Sequence, residues 1–156
     1  MYIYKWFRIA LLTLIIGIGI NAFDGSKVYA FSGSGSGTVA EPYNITTPQQ
    51  FDEIRNELGA CYQLANDIDL SAYQSGEGWV PIGDWDNSFT GLLDGAGHKV
   101  TGLKIDSSRQ LLGLLGYCYG AALSNITIES AYISSYAYAG ILTGMASFHP
   151  YRVHLR

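Results

Sequence analysis

A glycine followed by two large aliphatic residues recurs along this chain, as Gly91-Leu92-Leu93, Gly113-Leu114-Leu115 and Gly140-Ile141-Leu142. A second phrase, Leu103-x-Ile105 and then Ile126-x-Ile128, follows the first two at a shared step of twenty-three residues (103 to 126, 105 to 128). A unit of that size makes two or three short strands. It cannot bury its apolar side alone and becomes stable only when stacked on copies of itself. The predicted fold is therefore all-β, a short parallel β-helix in which each strand lies about 4.8 Å from its counterpart in the next rung. The competing architecture is a sandwich or barrel with strands every 8–12 residues or so. Glycines recurring in phase favour the coil, because a stacked rung turns its corner at the same place each time.

The sequence outside the repeat fits that picture. Thr47 to Leu58 carries the signals of one short helix: Thr47 as cap, Pro48 at the first turn, Gln50 closing a capping box and Gly59 as a stop. Phe51, Ile54 and Leu58 form its apolar stripe, suited to covering the open end of a coil. From Tyr62 the period becomes two, with Tyr62 and Leu64, then Ile68 and Leu70, on the buried side. Ser71 to Gly78 reads as a polar loop and Asp84 to Ser88 as a turn; Trp79 to Gly83 is a short apolar piece whose Pro81 belongs at a strand end.

The first thirty residues read as an address. Lys5 and Arg8 precede an apolar run from Ile9 to Ile20, and Val28-Tyr29-Ala30 is a small-residue cleavage site. The run is shorter than the ~20 residues that span a bilayer, so cleavage and export are expected rather than membrane insertion. Residues 31–41, which include the stretch FSGSGSGT, are expected to be a flexible Gly/Ser leader. Residues 42–60 form the capping segment with the helix, 61–147 the repeats, and 148–156 an atypical tail. Val153 and Leu155 of that tail fall thirteen and fifteen residues after Gly140, as Ile126 and Ile128 do after Gly113, which suggests a strand phrase continuing in a shortened version of a longer array.

Charge narrows the partners. Charged residues make up 14% of the chain and the formal net charge is −4. The sequence shows no basic stripe of the kind that neutralises phosphates, so nucleic acid is not an expected partner. Cys61 and Cys118 would meet an oxidising environment after export. Cys61 alternates with Tyr62 and Leu64 and so faces away from the core, and two free thiols are the expectation.

Carboxylates are the main candidates for chemistry. Asp67 and Asp69 flank Ile68 and project opposite the apolar side. Solubilising an end strand is the simplest use of such a pair; weak Ca²⁺ binding through oxygen ligands and an acid/base role are the alternatives. Asp84 and Asp86 in Asp84-Trp85-Asp86-Asn87 have a calcium-loop spacing but lack the glycine and distal glutamate of an EF-hand, so they read as an exposed turn. No other cofactor is implied. His98 stands alone after a glycine turn, and no nucleophile elbow occurs. Tyr117, Tyr119, Tyr132, Tyr136 and Tyr138 cluster in the later repeats, where they either fill strand edges or stack on a sugar or protein partner.

The run Phe89-Thr90-Gly91-Leu92-Leu93-Asp94-Gly95-Ala96-Gly97-His98-Lys99-Val100, followed by Gly113-Leu114-Leu115-Gly116, resembles the GLUG-motif proteins of bacterial cell surfaces. Gly113 to Gly116 match the motif in full, and Gly140-Ile141-Leu142-Thr143-Gly144 match it with one residue inserted. The resemblance covers roughly residues 33 to 147. It implies a right-handed parallel β-helix of the pectate-lyase and adhesin kind, with about three to four rungs, capped by one α-helix. It further implies an exported, non-enzymatic module for surface display or adhesion whose partner is a host or cell-surface glycan or protein. The alternative is a pectate-lyase-like polysaccharide-active enzyme or carbohydrate-binding module. That alternative needs a lysine or arginine facing the acids across a groove, for which Lys99, Lys104 and Arg109 are the candidates.

Overall fold

The computed structural model describes residues 30–147; the address segment and the tail from Phe148 lie outside them. The chain winds as a β-solenoid of about three turns, all of its named strands pairing in parallel. The first winding holds β2 (Cys61–Leu64) and β3 (Ile68–Asp69). The second holds β4 (Leu92–Asp94), β5 (Lys99–Thr101), β6 (Lys104–Asp106) and β7 (Leu115–Tyr119). The third holds β8 (Ala122–Ser124), β9 (Thr127–Glu129), β10 (Tyr132–Ser134) and β11 (Thr143–Ser147). With the lead-in strand β1 (Tyr43–Ile45), they form four faces: β1-β2-β4-β8, β3-β5-β9, β6-β10 and β7-β11.

Register gives the true period. Leu93 pairs with Tyr62 below and Leu123 above; Val100 pairs with Ile68 and Ile128; Ile105 pairs with Ile133. The winding is thus about 28–32 residues long on these faces, longer than the twenty-three expected from the phrases. Ile128 lies over Val100 rather than over Ile105, and Leu103 does not stack on Ile126. The stacked inner column exists, but with different partners. Of the three Gly-Leu-Leu phrases, only the last two are equivalent: Leu112 pairs with Ala139 and Leu115 with Thr143, which brings Gly113 beside Gly140. Gly91 begins a different face.

Side chains pointing inward at alternate positions build the core, which takes in Tyr62, Leu64, Ile68, Leu93, Val100 and Ile105. Trp79 fills its centre at 2% exposed, its indole N–H donating to the Leu114 carbonyl at 2.9 Å. A buried indole needs such a partner, and this one ties the first winding to the second. Leu123, Ile126, Ile128, Ile133 and Leu142 of the third winding are only partly buried.

The other end is closed. The helix α1 (Pro48–Asp52) begins at Thr47, whose side chain accepts from the Gln50 amide, and it buries Phe51. It is shorter than expected: after Asp52 the chain tightens into a 3-10 turn, Glu53–Asn56, which buries Ile54. The stop is the extended Glu57 at φ −146°, not Gly59. Gln50 turns its side-chain oxygen to the Thr46 amide at 2.8 Å, one residue earlier than a capping box would. The Gly/Ser segment is fixed rather than flexible. Phe31 stacks on Tyr43 with ring centroids 4.5 Å apart, Ser34 bridges Asn44, and Gly37 accepts from the Cys61 amide at 2.8 Å. Its glycines are there for contact: a Cβ on Gly35 would fall 2.1 Å from the Pro42 carbonyl oxygen.

Candidate functional site

The repeat-motif residues Gly113, Leu114, Leu115, Gly116, Gly140 and Gly144 serve the stack. Leu114 and Leu115 are fully buried. A Cβ on Gly116 would lie 2.2 Å from the Gly83 carbonyl oxygen of the first winding, and one on Gly144 would lie 2.4 Å from Leu111 backbone. The motif therefore marks where backbones of neighbouring windings come closest. The extra residue between Gly140 and Gly144 appears as a slip in register, from 27 residues at Leu112–Ala139 to 28 at Leu115–Thr143.

The four candidate carboxylates are not brought together as one site. Asp67 precedes β3 and reaches up one winding, accepting from the Lys99 amide at 3.2 Å and facing His98 Nδ1 at 3.2 Å. The hydrogen bond from the Lys99 amide, joined by that of His98, outweighs the opposing desolvation and holds the Asp67 carboxyl below the ordinary range. Asp69, at the end of β3, accepts from the side chain and amide of Ser71, which likewise lower it. Asp84 is on another face, where its carboxylate accepts from the amides of Asp86 (3.0 Å) and Asn87 (2.8 Å) and closes a tight turn. Asp86 sits within that turn. Among the described residues, no three His, Cys, Asp or Glu side chains gather in a way that could hold a metal ion.

A further acid, Asp94, holds a corner and was not singled out from sequence. Burial works to raise its pKa but is outweighed by the Ala96 amide and the side chains of Asn125 and Ser124, so the net shift is downward. Its Oδ1 accepts from Asn125 at 2.9 Å across two windings. Asn125 itself adopts φ 52°, a left-handed conformation that asparagine tolerates well.

The basic candidates are committed elsewhere. Lys99 Nζ lies 3.0 Å from Glu129, whose hydrogen bond and charge raise the lysine pKa, the opposite of what a proton-abstracting lysine requires. Lys104 donates to the Gln74 carbonyl at 3.0 Å, and Arg109 pairs with Glu77 at 3.5 Å. Both cysteines are free; burial pushes the Cys118 thiol up, against a smaller lowering contact from Thr143.

The face carrying β7 differs from the other three. In the first winding Ile82 pairs with Leu115 and Phe89 with Cys118, so seven residue steps stand opposite three. The four extra residues are accommodated in the Asp84–Ser88 turn. Trp85 at its tip is 51% exposed and leans on Tyr117, ring centroids 4.9 Å apart and planes tilted 42°. Tyr119, two residues further along β7, is also 51% exposed. On its other flank the turn borders an open groove of about 440 Å³ lined by Arg55, Asn56, Leu58, Val80, Pro81, Gly83, Asp84 and Asn87. The clustering of tyrosines was legible in sequence; the part played by Trp85 was not, because it depends on the insertion.

No family model matches the sequence, and no solved structure matches the chain. Two curated proteins do. Over 128 residues, 76% of this chain, it is 40% identical to a protein of Evansella cellulosilytica named "Putative Gly-rich membrane protein", of which the match covers 14%. Over 137 residues, 80% of this chain, it is 35% identical to the protein named "Halomucin" of Haloquadratum walsbyi, of which the match covers 2%. The chain therefore spans a small part of the length of these relatives. Among the described residues, no helix is long and apolar enough to cross a membrane.

Proposed function

We propose that this chain is an exported, non-enzymatic β-solenoid module of the GLUG-motif kind, displayed at the cell surface for adhesion. The observation that carries the reading is the division of labour across the wall. Aliphatic residues are stacked inside through at least two windings, while the outer faces carry exposed aromatics and acids that the fold does not need buried. Such a scaffold offers long rigid faces to a partner. The address segment with Lys5, Arg8 and Val28-Tyr29-Ala30 supplies the route out. The names of the two relatives, a membrane protein and a halomucin, agree with a surface setting.

The test is expression of the full chain in a bacterial host, with N-terminal sequencing of the product. Cleavage after Ala30 and recovery outside the cytoplasm are expected. An intact N-terminus on a cytoplasmic product overturns the reading.

A further inference from the structure

We propose that the outer face formed by β7 and the Asp84–Ser88 insertion is a carbohydrate-binding platform for a neutral glycan chain. The assignment names a ligand for the display reading and rests on it for its setting only; the chemistry is argued from the face itself.

A solenoid keeps its windings equal in length unless an insertion has a use, and insertions that project to one side commonly form the binding face. The Asp84–Ser88 turn adds nothing to the core, whose indole is supplied by Trp79. It does place a second, half-exposed indole against Tyr117. Tyr117 and Tyr119 point to the same side of β7 at about 7 Å spacing, and Met145 pairs beside Tyr117 in the next winding at 37% exposed. The result is a row of flat apolar surfaces on a rigid strand.

Pyranose rings present both an apolar C–H side and an edge of hydroxyls. The first suits an aromatic plate; the second needs planar groups that donate and accept hydrogen bonds. Those groups stand on the other flank of the same insertion, where Asn56, Asn87 and Asp84 line the groove. Both halves of sugar recognition are thus carried by one five-residue turn and its neighbours.

Charge selects the class of glycan. Asp84 and Asp86 are part of the insertion, and among the described residues the cation lining the adjoining groove, Arg55, is occupied by Asp52 and by the Val80 carbonyl at 3.0 Å. A uronate or sulfated polymer would meet these carboxylates beside a cation already paired. A neutral polysaccharide meets no such penalty.

The experiment is affinity electrophoresis of the protein produced from the full chain, in gels containing hydroxyethylcellulose, glucomannan, xylan or polygalacturonate. At least one neutral polymer is expected to retard it, and polygalacturonate is not. Trp85→Ala and Tyr117→Ala should each weaken that binding by about tenfold or more. Tyr119→Ala, which alters a half-exposed ring, gives a second arm that leaves the Trp85–Tyr117 pair in place and should weaken binding several-fold. Tyr136→Ala, at a ring 96% exposed and outside the platform, should bind as the parent does. Circular dichroism verifies the fold of each variant. No retardation by any neutral polymer, a preference for polygalacturonate, or unchanged binding by all three platform variants overturns the proposal. Binding to a protein partner only would also overturn it. Because the assay uses purified protein, its failure is separate from a failure of export.

Discussion

A disulfide placed across two windings reads the register directly. Thr101 of β5 stands opposite Glu129 of β9, both on the outer side of strands whose inner residues are Val100 and Ile128. Parallel neighbours lie about 4.8 Å apart, inside the Cα range of about 4.4–6.8 Å that a disulfide accepts. Thr101→Cys with Glu129→Cys should therefore crosslink on mild oxidation. Closing a loop of about 29 residues removes roughly 3.6 kcal/mol of unfolded-state entropy at 25 °C. Losing the Lys99–Glu129 pair takes little from this, since that contact is solvent-exposed and screened. At about 4 °C per kcal/mol for a domain of this size, the midpoint should rise by roughly 5–14 °C, the upper end assuming no strain. Peptide mapping identifies the crosslink and calorimetry with and without reductant measures the shift. The control is Lys104→Cys with Thr127→Cys, twenty-three residues apart, which the register places on different faces opposite Tyr132 and Lys99. If the control pair closes and the Thr101–Glu129 pair does not, the stacking described above is wrong.

Further outcomes follow from the same contacts. Gly116→Ala should destabilise by about 1–3 kcal/mol or more, because its Cβ meets the Gly83 carbonyl and backbone cannot yield as a side chain can; urea unfolding measures it. Trp79→Phe should cost about 2–4 kcal/mol, from a smaller ring and a Leu114 carbonyl left without its donor. The carboxyls of Asp67, Asp69 and Asp94 are lowered by hydrogen bonds present only in the fold. Their contribution is thus complete above the ordinary carboxylate range near 3.9 and is lost as pH falls through the lower folded values. Stability measured from pH 7 to pH 2 should stay level through the neutral range and decline below about pH 4, less steeply in Asp94→Asn. Iodoacetamide at pH 8 should modify the half-buried Cys61 before Cys118, whose thiol is buried and raised; mass spectrometry of tryptic peptides orders the two.

The coil was legible because the inner side of most strands is apolar and several corners carry glycine or asparagine, a pattern that stacking favours. The period was not. Each winding turns four faces, and more than one of them opens with a glycine and two aliphatics. Gly91 to Gly113 is a step between faces of one winding, whereas Gly113 to Gly140 is a step between windings. The first-winding counterpart of the motif is Val80-Pro81-Ile82-Gly83, which keeps only the last glycine, since Gly83 is the position whose carbonyl touches Gly116. A pattern search fixed on leading glycines passes over it. The Gly/Ser lead-in misled for a related reason: small residues signal freedom when nothing packs on them, but Gly35 and Gly37 are small because Pro42 and Tyr43 press against them.

The candidate acids show where spacing stops being informative. Asp67 and Asp69 alternate as a catalytic or calcium-binding pair would, yet each is drawn to a different partner, Lys99 and His98 above for one and Ser71 beside for the other. Corner carboxylates in a solenoid face backbone amides that the change of direction leaves unpaired, and satisfying those amides is a use that leaves no mark of its own in the sequence. Asp84 does the same for the amides of Asp86 and Asn87, and Asp94 for that of Ala96 while also accepting from the Asn125 side chain in the next winding. An acid at a corner is thus explained by the corner. Trp85 is not explained in that way: neither the turn nor the core requires an indole there, and half of it faces solvent. Residues that the scaffold does not account for are where the function of a repeat wall is to be sought, and on this face they are aromatic.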